Sequence, residues 1–588
     1  MRRFLIGFAI TVGVVVLIVG GLTLAVAHWS GKSAQLPGDI VLTADLTGGL
    51  ADSAEPTAMS RLLFGEKTTL RDFVDALERA GDDPRVKALY IQLGDDSLAL
   101  AKTQQVRDAI AAFRAKGKFA IAFADTFGEG GTGTRPYYLA TACDEIWLQP
   151  LGEVGITGLR TEQTFFKGLL DKLGIAPSIE HREEYKTAMN MLTEARMTAA
   201  QREEIEALLT SMQDQINRGI AAARKMQASD VAALVDRAPL SADAAKAAGL
   251  IDRIAYRDEA LWRAQLRAGA GAKTMALSRY LTAAGRPNKS GARIALIYGT
   301  GLITRAGSET GALTQDTQFT SRAITRAFNA AVRDKDVRAI VFRIDSPGGS
   351  ATASETIWRE VVRAHQHGKP IVVSMGDLAA SGGYYVAAPA DKIVAEPATL
   401  TGSIGVVGGK IVIAGLLDKL GITTDSADRG ANAAMFSTAQ DFSPQAHQHL
   451  VDELDSTYRG FKDHVAAGRH LTADAVEAAA KGRVWTGEDA KRLGLVDALG
   501  GYDTALVLAR QAANLAADAP IDVVVYPRER GLAALLLGRL SDREDDDTGA
   551  PAATLQRSLA ALRWLAAAVD TVSGDPSILR MIPLGDIR

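Results

Sequence analysis

An internal repeat is the feature that most constrains the fold of this chain of 588 residues. The segment from Tyr137 to Pro150 is echoed from Tyr384 to Pro397, a displacement of 247 residues. The same register then brings the string Leu-Leu-Asp-Lys-Leu-Gly-Ile at 169–175 onto an identical string at 416–422. Chance does not preserve a register over so long a stretch. The repeat therefore predicts two copies of one structural unit.

Each copy alternates predicted strands with predicted helices. In the second copy, apolar strands over 339–345, 369–375 and 392–396 are separated by a helix over 352–364 and by a short helix that begins near Ser381. Strands that are apolar on both faces and joined by helices are typical of parallel sheets covered by helices on both sides. The sequence thus predicts an α/β fold with tandem duplicated domains.

The repeat also divides the chain. We predict an N-terminal segment at 1–30, a first repeat at 38–281, a second repeat at 293–525 and a C-terminal extension at 526–588. Residues 282–292, rich in Gly, Asn and Ser with one Pro, are expected to link the repeats. The extension has no repeat partner. Its apolar stripe at Leu555, Leu559, Leu562 and Val569 predicts a helix that packs on the core or on a neighbour.

The N-terminal segment is predicted to be a transmembrane anchor. Residues 4–27 carry no charge and follow Arg2 and Arg3. As a helix this run would be about 36 Å long, enough to cross a hydrocarbon core of about 30 Å. The preceding arginines predict a cytoplasmic N-terminus and, in a bacterium, a single-pass inner-membrane protein with a periplasmic catalytic part. A cleaved signal peptide ending at Ala27 is the alternative, although its apolar region would be unusually long.

Composition excludes several classes of protein. With 66 basic and 69 acidic residues, the chain lacks the positive charge of a dedicated nucleic-acid binder. A single cysteine, Cys143, excludes an internal disulfide and a cysteine-rich metal site. The two His-Gln-His strings at 365–367 and 447–449 point their rings apart on a helix. We therefore expect no metal site, and the chemistry considered below needs neither a metal nor an organic cofactor.

Ser381 is the candidate nucleophile. It lies between a predicted strand and a predicted helix and is followed by Gly382 and Gly383. A hydroxyl there lies beside unhindered backbone N–H groups that can bind an oxyanion, one from Gly382 and a second from the turn at Gly349. The structural alternative is an ordinary N-cap serine.

Lys186 is the candidate base, because His28 lies at the predicted membrane, six histidines fall on polar helix faces and His181 has no identifiable acidic partner. A lysine titrates near pH 10.4, and burial can lower that value by about three units. The alternative is an exposed lysine on a charged loop. At the repeat displacement Ser381 corresponds to Thr134, and Lys186 corresponds to Ala433. A complete site therefore needs the lysine of a first repeat and the serine of a second repeat, either within one chain or across a subunit contact.

Four motifs resemble those of the signal peptide peptidase A family (protease IV), in its long duplicated form. They are Asp345-Ser-Pro-Gly-Gly349, Ala380-Ser381-Gly-Gly-Tyr384, Thr401-Gly-Ser403-Ile-Gly405 and Tyr185-Lys186. The resemblance implies a fold related to ClpP and crotonase, with Ser381 as nucleophile, Lys186 as general base and Ser403 orienting the lysine amine. It also implies a homotetramer in which adjacent subunits contribute the serine and the lysine.

The function implied by this resemblance is that of a membrane-anchored serine endopeptidase. Its substrates would be cleaved signal peptides and other apolar peptides on the periplasmic side of the inner membrane. A non-catalytic membrane scaffold with the same duplicated fold is the alternative from another class. A crotonase-like enzyme acting on acyl-CoA is a second alternative, against which the predicted anchor argues because coenzyme A is cytoplasmic.

Overall fold

The computed structural model describes residues 36–52, 68–94, 98–305 and 318–527, together with the strand at 578–580. The predicted anchor at 4–27 and the predicted helix at 555–569 lie outside these residues. The strands described in the first half are β1 (Ile40–Asp45), β2 (Val86–Leu93), β3 (Phe119–Ala124), β4 (Glu145–Leu148), β5 (Glu153–Val154), β6 (Ala176–His181), β7 (Leu240–Ser241), β8 (Arg253–Ile254) and β9 (Lys273–Ala276). The helices there are Leu70–Asp82, Leu100–Ala115, Thr134–Ala140, Lys167–Leu173, Asn190–Thr193, Ala199–Arg224, Ala228–Val235, Ala242–Ala247, Arg257–Ala268 and Leu277–Ala284.

The second half repeats this alternation. Its described strands are β10 (Ala292–Thr304), β11 (Gln318–Thr320), β12 (Val337–Ser346), β13 (Gly348–Ser350), β14 (Ile371–Ala380), β15 (Lys392–Ala395), β16 (Leu400–Gly402), β17 (Val407–Val412), β18 (Val484–Thr486), β19 (Ala498–Leu499), β20 (Ile521–Val525) and β21 (Ile578–Arg580). Its helices are Ser321–Arg333, Ala351–Gln366, Gly382–Ala387, Ala414–Lys419, Pro444–Arg469, Ala473–Ala479, Gly487–Arg492 and Tyr502–Ala512.

The first half forms a parallel sheet with the strand order β8-β4-β3-β2-β1-β9. Alternate residues of β1 face opposite sides of this sheet, and both sides are buried. Leu42 packs into a large core, whereas Val41 packs into a smaller one formed with the helix Arg257–Ala268. The prediction of a parallel sheet covered on both faces is therefore confirmed.

The second half is built around a parallel array of β15, β14, β12, β10 and β20. Along β10, Ala295 and Ile297 pack into a core with helices of the same half. Ile294 and Leu296 face the other way, into the large core that also contains Leu42 of the first half. The two halves are therefore joined through one hydrophobic core.

A buried ion pair also joins the halves. Arg343 of β12 contacts Asp52 at 2.8 Å, and both side chains are at most 4% exposed. Nearby, Lys102 of the first half lies 2.9 Å from Asp377 and 3.3 Å from Asp345 of the second. These contacts oppose relative movement of the halves, because separating them would leave charges buried without partners.

One strand of the first half lies in the sheet of the second. β6 pairs antiparallel with β17, and the register runs from His181 opposite Val407 to Ala176 opposite Val412. This pairing carries the chain directly after β6 into the second half. It decides where Lys186, five residues after the end of β6, is located.

The structure corrects the extent of the predicted linker at 282–292. The helix Leu277–Ala284 continues into that range, and β10 begins at Ala292. Ala283 and Ala284 pack against the large core, which keeps the helix folded up to the following glycine.

Among the residues that the structure describes, no helix is both long enough and apolar enough to cross a membrane.

Candidate active site

Ser381 is held in a strained backbone conformation between β14 and the helix Gly382–Ala387. Its φ of 56° and ψ of −116° lie in a region that residues other than glycine rarely adopt. The Ser381 N–H donates to the carbonyl oxygen of Gly402 at 2.8 Å, and the Tyr385 N–H donates to the Ser381 carbonyl at 2.8 Å. Backbone strain of this kind persists where the surroundings over-determine it, as they often do at functional sites. The simple N-cap interpretation is not supported, since the Ser381 side chain makes no capping hydrogen bond.

Lys186 reaches the same place from the first half. The Arg182 N–H donates to Val406 at 3.0 Å, and the Tyr185 N–H donates to Lys481 at 3.2 Å, so that backbone pairing continues past β6. The lysine then passes between two glycines. A Cβ atom on Gly482 would lie 2.5 Å from the backbone nitrogen of Lys186. A Cβ atom on Gly405 would lie 3.1 Å from the Cδ atom of the Lys186 side chain. Side chains at either position would displace the lysine.

The structure brings the candidate residues of both halves together. Lys186 Nζ lies 2.8 Å from Ser381 Oγ, 3.0 Å from Ser403 Oγ and 3.0 Å from the Ser403 carbonyl oxygen. Lys186 is 1% exposed, and both serines are fully buried. A single chain therefore holds all three residues, and this geometry needs no contribution from an adjacent subunit. The alternative of an exposed loop lysine is wrong.

Burial changes the acid–base chemistry of Lys186. Loss of water around the ammonium form lowers the pKa of this lysine well below its usual value, and Glu204 opposes that effect through its negative charge. A neutral amine has two hydrogens and one lone pair. The two oxygens of Ser403 can accept the hydrogens, which leaves the lone pair directed at the Ser381 hydroxyl. The arrangement suits a base that removes the serine proton.

Ser403 is fixed by the same backbone layer that holds Ser381. It follows β16, which pairs in parallel with the end of β14. Its φ of 51° turns the chain sharply, and its N–H donates to the carbonyl oxygen of Arg483 at 2.7 Å. The neighbouring Gly402 accepts the Ser381 N–H. One short segment therefore sets the relative positions of the two serines.

Gly349 and Gly382 lie where backbone segments meet closely. A Cβ atom on Gly382 would lie 3.2 Å from the Gly349 nitrogen and 2.7 Å from the Ser354 hydroxyl oxygen. A Cβ atom on Gly349 would lie only 2.1 Å from the Ile303 carbonyl oxygen. Neither position accommodates a side chain, so the N–H groups beside Ser381 remain unhindered. This is the kind of setting that an oxyanion requires.

A strand from the C-terminal extension lies beside these glycines. β21 pairs antiparallel with β13, with Leu579 opposite Gly349, and Ile578 is also paired with Val407 of β17. The space between β13 and β17 therefore accepts an extended chain that forms backbone contacts on both sides.

The equivalent place in the first half has different chemistry. Thr134, which corresponds to Ser381, begins the helix Thr134–Ala140, and its hydroxyl donates to Gly158 at 3.2 Å. Ala433, which corresponds to Lys186, is exposed.

Within the described residues, no group of three or more His, Cys, Asp or Glu side chains is arranged to hold a metal ion.

The sequence interpretation missed Glu204. This carboxyl group is fully buried and interacts electrostatically with Lys186. One signal was available, because Glu204 precedes the buried Leu208 and Met212 by four and eight residues on one helical stripe. An acidic residue on such a stripe is unusual enough to be singled out.

Comparison with known proteins places this chain in a family. The sequence profile of peptidase family S49 matches residues 112–271 and 363–516, which together make up more than half of the chain and one segment of each half. The chain belongs to peptidase family S49. The family match on both segments agrees with the duplicated parallel sheets, and the resemblance drawn from the sequence motifs is confirmed.

Several relatives match over most of their length. Serine protease SPPA of Arabidopsis thaliana chloroplasts is 31% identical over 83% of this chain and 71% of its own. Protease 4 of Salmonella typhi is 31% identical over 85% of this chain and 82% of its own. Protease 4 of Haemophilus influenzae is 32% identical over 83% of this chain and 82% of its own. Among solved structures, the ClpP catalytic domain of Plasmodium falciparum aligns with a TM-score of 0.21 and 14% identity, over 35% of this chain and 84% of that one.

Proposed function

We propose that this S49 peptidase is a serine endopeptidase with Ser381 as nucleophile and Lys186 as general base. The observation that carries the proposal is the 2.8 Å contact between the Lys186 amine and the Ser381 hydroxyl in a fully buried setting. A serine hydroxyl is a weak nucleophile until an adjacent base removes its proton. The lowered pKa of Lys186 increases the fraction of neutral amine that can act as that base.

The reaction follows from the contacts. Neutral Lys186 accepts the Ser381 proton while Oγ attacks the carbonyl carbon of a peptide bond. The N–H groups of Gly349 and Gly382 stabilise the oxyanion that forms. The lysine ammonium, kept oriented by Ser403, then protonates the leaving amine nitrogen, and the C–N bond breaks. Water, deprotonated by the same lysine, hydrolyses the acyl-enzyme and restores Ser381.

Extended apolar peptides are the proposed substrates. β21 supports this class, because it is an extended segment seated between β13 and β17 with Leu579 opposite Gly349. A substrate bound there in place of β21 would add a strand to the sheet and present its carbonyl groups to the glycines. The motif resemblance to signal peptide peptidases favours cleaved signal peptides as the physiological members of this class.

We also propose an inner-membrane location, with the catalytic part in the periplasm and four copies in the assembly. The charge-free run at 4–27 after two arginines supports the anchor and its orientation. An anchored enzyme would meet apolar peptides where the membrane concentrates them. Partners other than lipid, peptide and further copies of this chain are not needed.

A peptide assay tests the catalytic proposal. The full chain, purified in detergent, should cleave a fluorogenic peptide with an aliphatic residue before the scissile bond. Ser381→Ala and Lys186→Ala should each lower kcat/KM by at least about 10³-fold. Ser426→Ala, a change of an exposed serine, is the matched control and should have no effect. Full activity of the Ser381→Ala chain would refute the proposal.

A further inference from the structure

Glu204 is a buried acidic residue that the reaction described above does not use. It lies in the first turns of the helix Ala199–Arg224 and is fully buried, although acidic side chains are almost never fully buried without a partner. Its Oε1 accepts the Val484 N–H at 2.5 Å. Its Oε2 is also buried and has no hydrogen-bond partner within the described part of the chain.

The repeat shows that the fold itself does not need a buried acid here. The corresponding helix, Pro444–Arg469, has the same length and begins 245 residues later than Ala199–Arg224. The residue at the equivalent position is His449, which is exposed. The two helices serve the same architectural role, but Glu204 is located in the half that supplies the lysine. Its burial is therefore a property of the site rather than of the repeated unit.

Glu204 contacts the backbone layer that positions both serines. Val484, whose N–H it accepts, lies opposite Gly402 in the antiparallel pair of β16 and β18. Gly402 accepts the Ser381 N–H, and the neighbouring Ser403 donates to Arg483, the residue before Val484. One carboxyl oxygen thus anchors the strand on which the geometry of Ser381 and Ser403 depends.

The charge of Glu204 acts on the lysine. Within the described residues, Glu204 is the acidic group whose negative charge raises the pKa of Lys186 against the effect of burial. The pKa of Glu204 itself is raised to about 8, chiefly by burial and also by the charge of Glu203, against the opposing effects of the Val484 N–H and the positive charges of Arg483 and Lys186. The carboxyl group and the amine therefore respond to each other's charge.

We propose that Glu204 is a positioning residue that stabilises the Lys186 ammonium in each step of the reaction and anchors β18 behind the two serines. This inference rests on the proposed function, because in the reaction the ammonium arises when Lys186 takes the Ser381 proton. No bond to Glu204 forms or breaks. The proton moves from Ser381 Oγ to Lys186 Nζ and on to the leaving nitrogen, while the ionised form of Glu204 offsets the positive charge that would otherwise lie unpaired in a buried site.

Glu204→Gln is the central test. The amide keeps an oxygen for the Val484 N–H but removes the charge, so a purely structural role would leave the pH dependence unchanged. We expect the maximum of kcat/KM to fall about tenfold or more. We also expect the acid limb of its pH profile to move about one unit lower, because the ammonium of Lys186 loses its stabilising charge. Glu206→Gln, an exposed position on the same helix, is the matched control and should reproduce the wild-type profile.

Glu204→Asp keeps the carboxyl group but shortens the side chain, so it distinguishes the effect of the charge from the effect of packing. Its result can be interpreted even if the Glu204→Gln chain does not fold. It retains the charge and should keep the acid limb at the wild-type pH even if the rate falls. An acid limb that moves as far with Asp as with Gln, or that stays in place with Gln, would overturn the inference. Failure of the proposed function is distinguishable, since it would appear as undiminished activity of the Ser381→Ala and Lys186→Ala chains.

Discussion

Lys186 Nζ lies 2.8 Å from Ser381 Oγ although the two residues are 195 positions apart and belong to different halves of the chain. The contact exists because β6 leaves the first half and pairs with β17 of the second. The chain then continues through Tyr185 to the lysine, in the space between Gly405 and Gly482. The two repeats have thus diverged at the equivalent positions: the first half has Lys186 where the second has Ala433, and the second half has Ser381 where the first has Thr134.

The first prediction concerns complementation between chains. Because one chain contains both residues of the contact, a mixture of Ser381→Ala and Lys186→Ala chains should remain inactive after joint assembly. Peptide cleavage by purified mixed oligomers, with both chains verified by mass, measures this. Recovery of a substantial fraction of wild-type activity would mean that neighbouring subunits exchange the β6 region.

The second prediction concerns stability. The pKa of Lys186 is lowered by folding, so the folded state binds this proton more weakly than the unfolded chain, which titrates near pH 10.4. Burial of Lys186 therefore reduces the free energy of unfolding. This reduction increases as the pH falls from about 10.4 towards the folded pKa and is constant below the folded pKa. Lys186→Met removes the cost and should raise Tm at pH 7 by at least about 2 °C.

Thermal unfolding at several pH values checks this sign. The advantage of the Lys186→Met chain should shrink as the pH approaches 10.4. Lys225→Met, at an exposed position, is the control and should show no such trend. An advantage that grows with rising pH would contradict the lowered pKa of Lys186.

The third prediction concerns the glycine behind the lysine. Gly482 has a φ of +78°, and an added Cβ atom would lie 2.5 Å from the Lys186 nitrogen. Gly482→Ala should displace the lysine and lower kcat/KM by about 10²-fold or more. Gly421 has a similar φ of +68°, but an added Cβ atom there meets nothing within 4 Å.

Gly421→Ala therefore carries the same kind of backbone strain without the collision. Gly421→Ala should lose about 1 kcal/mol of stability from strain alone, Gly482→Ala should lose more because of the collision, and only Gly482→Ala should lose activity. Equal loss of activity in the two variants would show that backbone strain, and not displacement of Lys186, is responsible.

The fourth prediction concerns the pair that joins the halves. Asp52→Asn removes the carboxylate that lies 2.8 Å from the buried Arg343, which should cost about 3–5 kcal/mol. Asp39→Asn removes an exposed partner of Lys87, at 3.8 Å, and should cost less than about 1 kcal/mol. Denaturant unfolding of both variants measures the difference, and equal costs would contradict the buried role of the Asp52 pair.

Much of the architecture is readable from local patterns. Apolar strands flanked by turn residues and helices predict the parallel sheets, and the predicted strand 339–345 lies within the observed Val337–Ser346. The repeat predicts the duplication because an exact register is visible without any knowledge of packing. The glycine neighbours of Ser381 indicate the nucleophile, and the absence of a suitable histidine indicates Lys186 as the base. Both inferences depend on residues close in sequence or on composition.

Tertiary structure alone decided how these residues meet. Whether Lys186 joins a serine of its own chain depends on β6 pairing with β17, which no periodicity in β6 indicates. The burial of Glu204, likewise, arises only when a helix of the first half packs on β18 of the second. The physical reason is that backbone propensity and hydrophobic pattern act over a few turns or strands. Proximity between the halves instead results from a shared hydrophobic core and from buried charges, such as Arg343 and Asp52, that are stable only when paired.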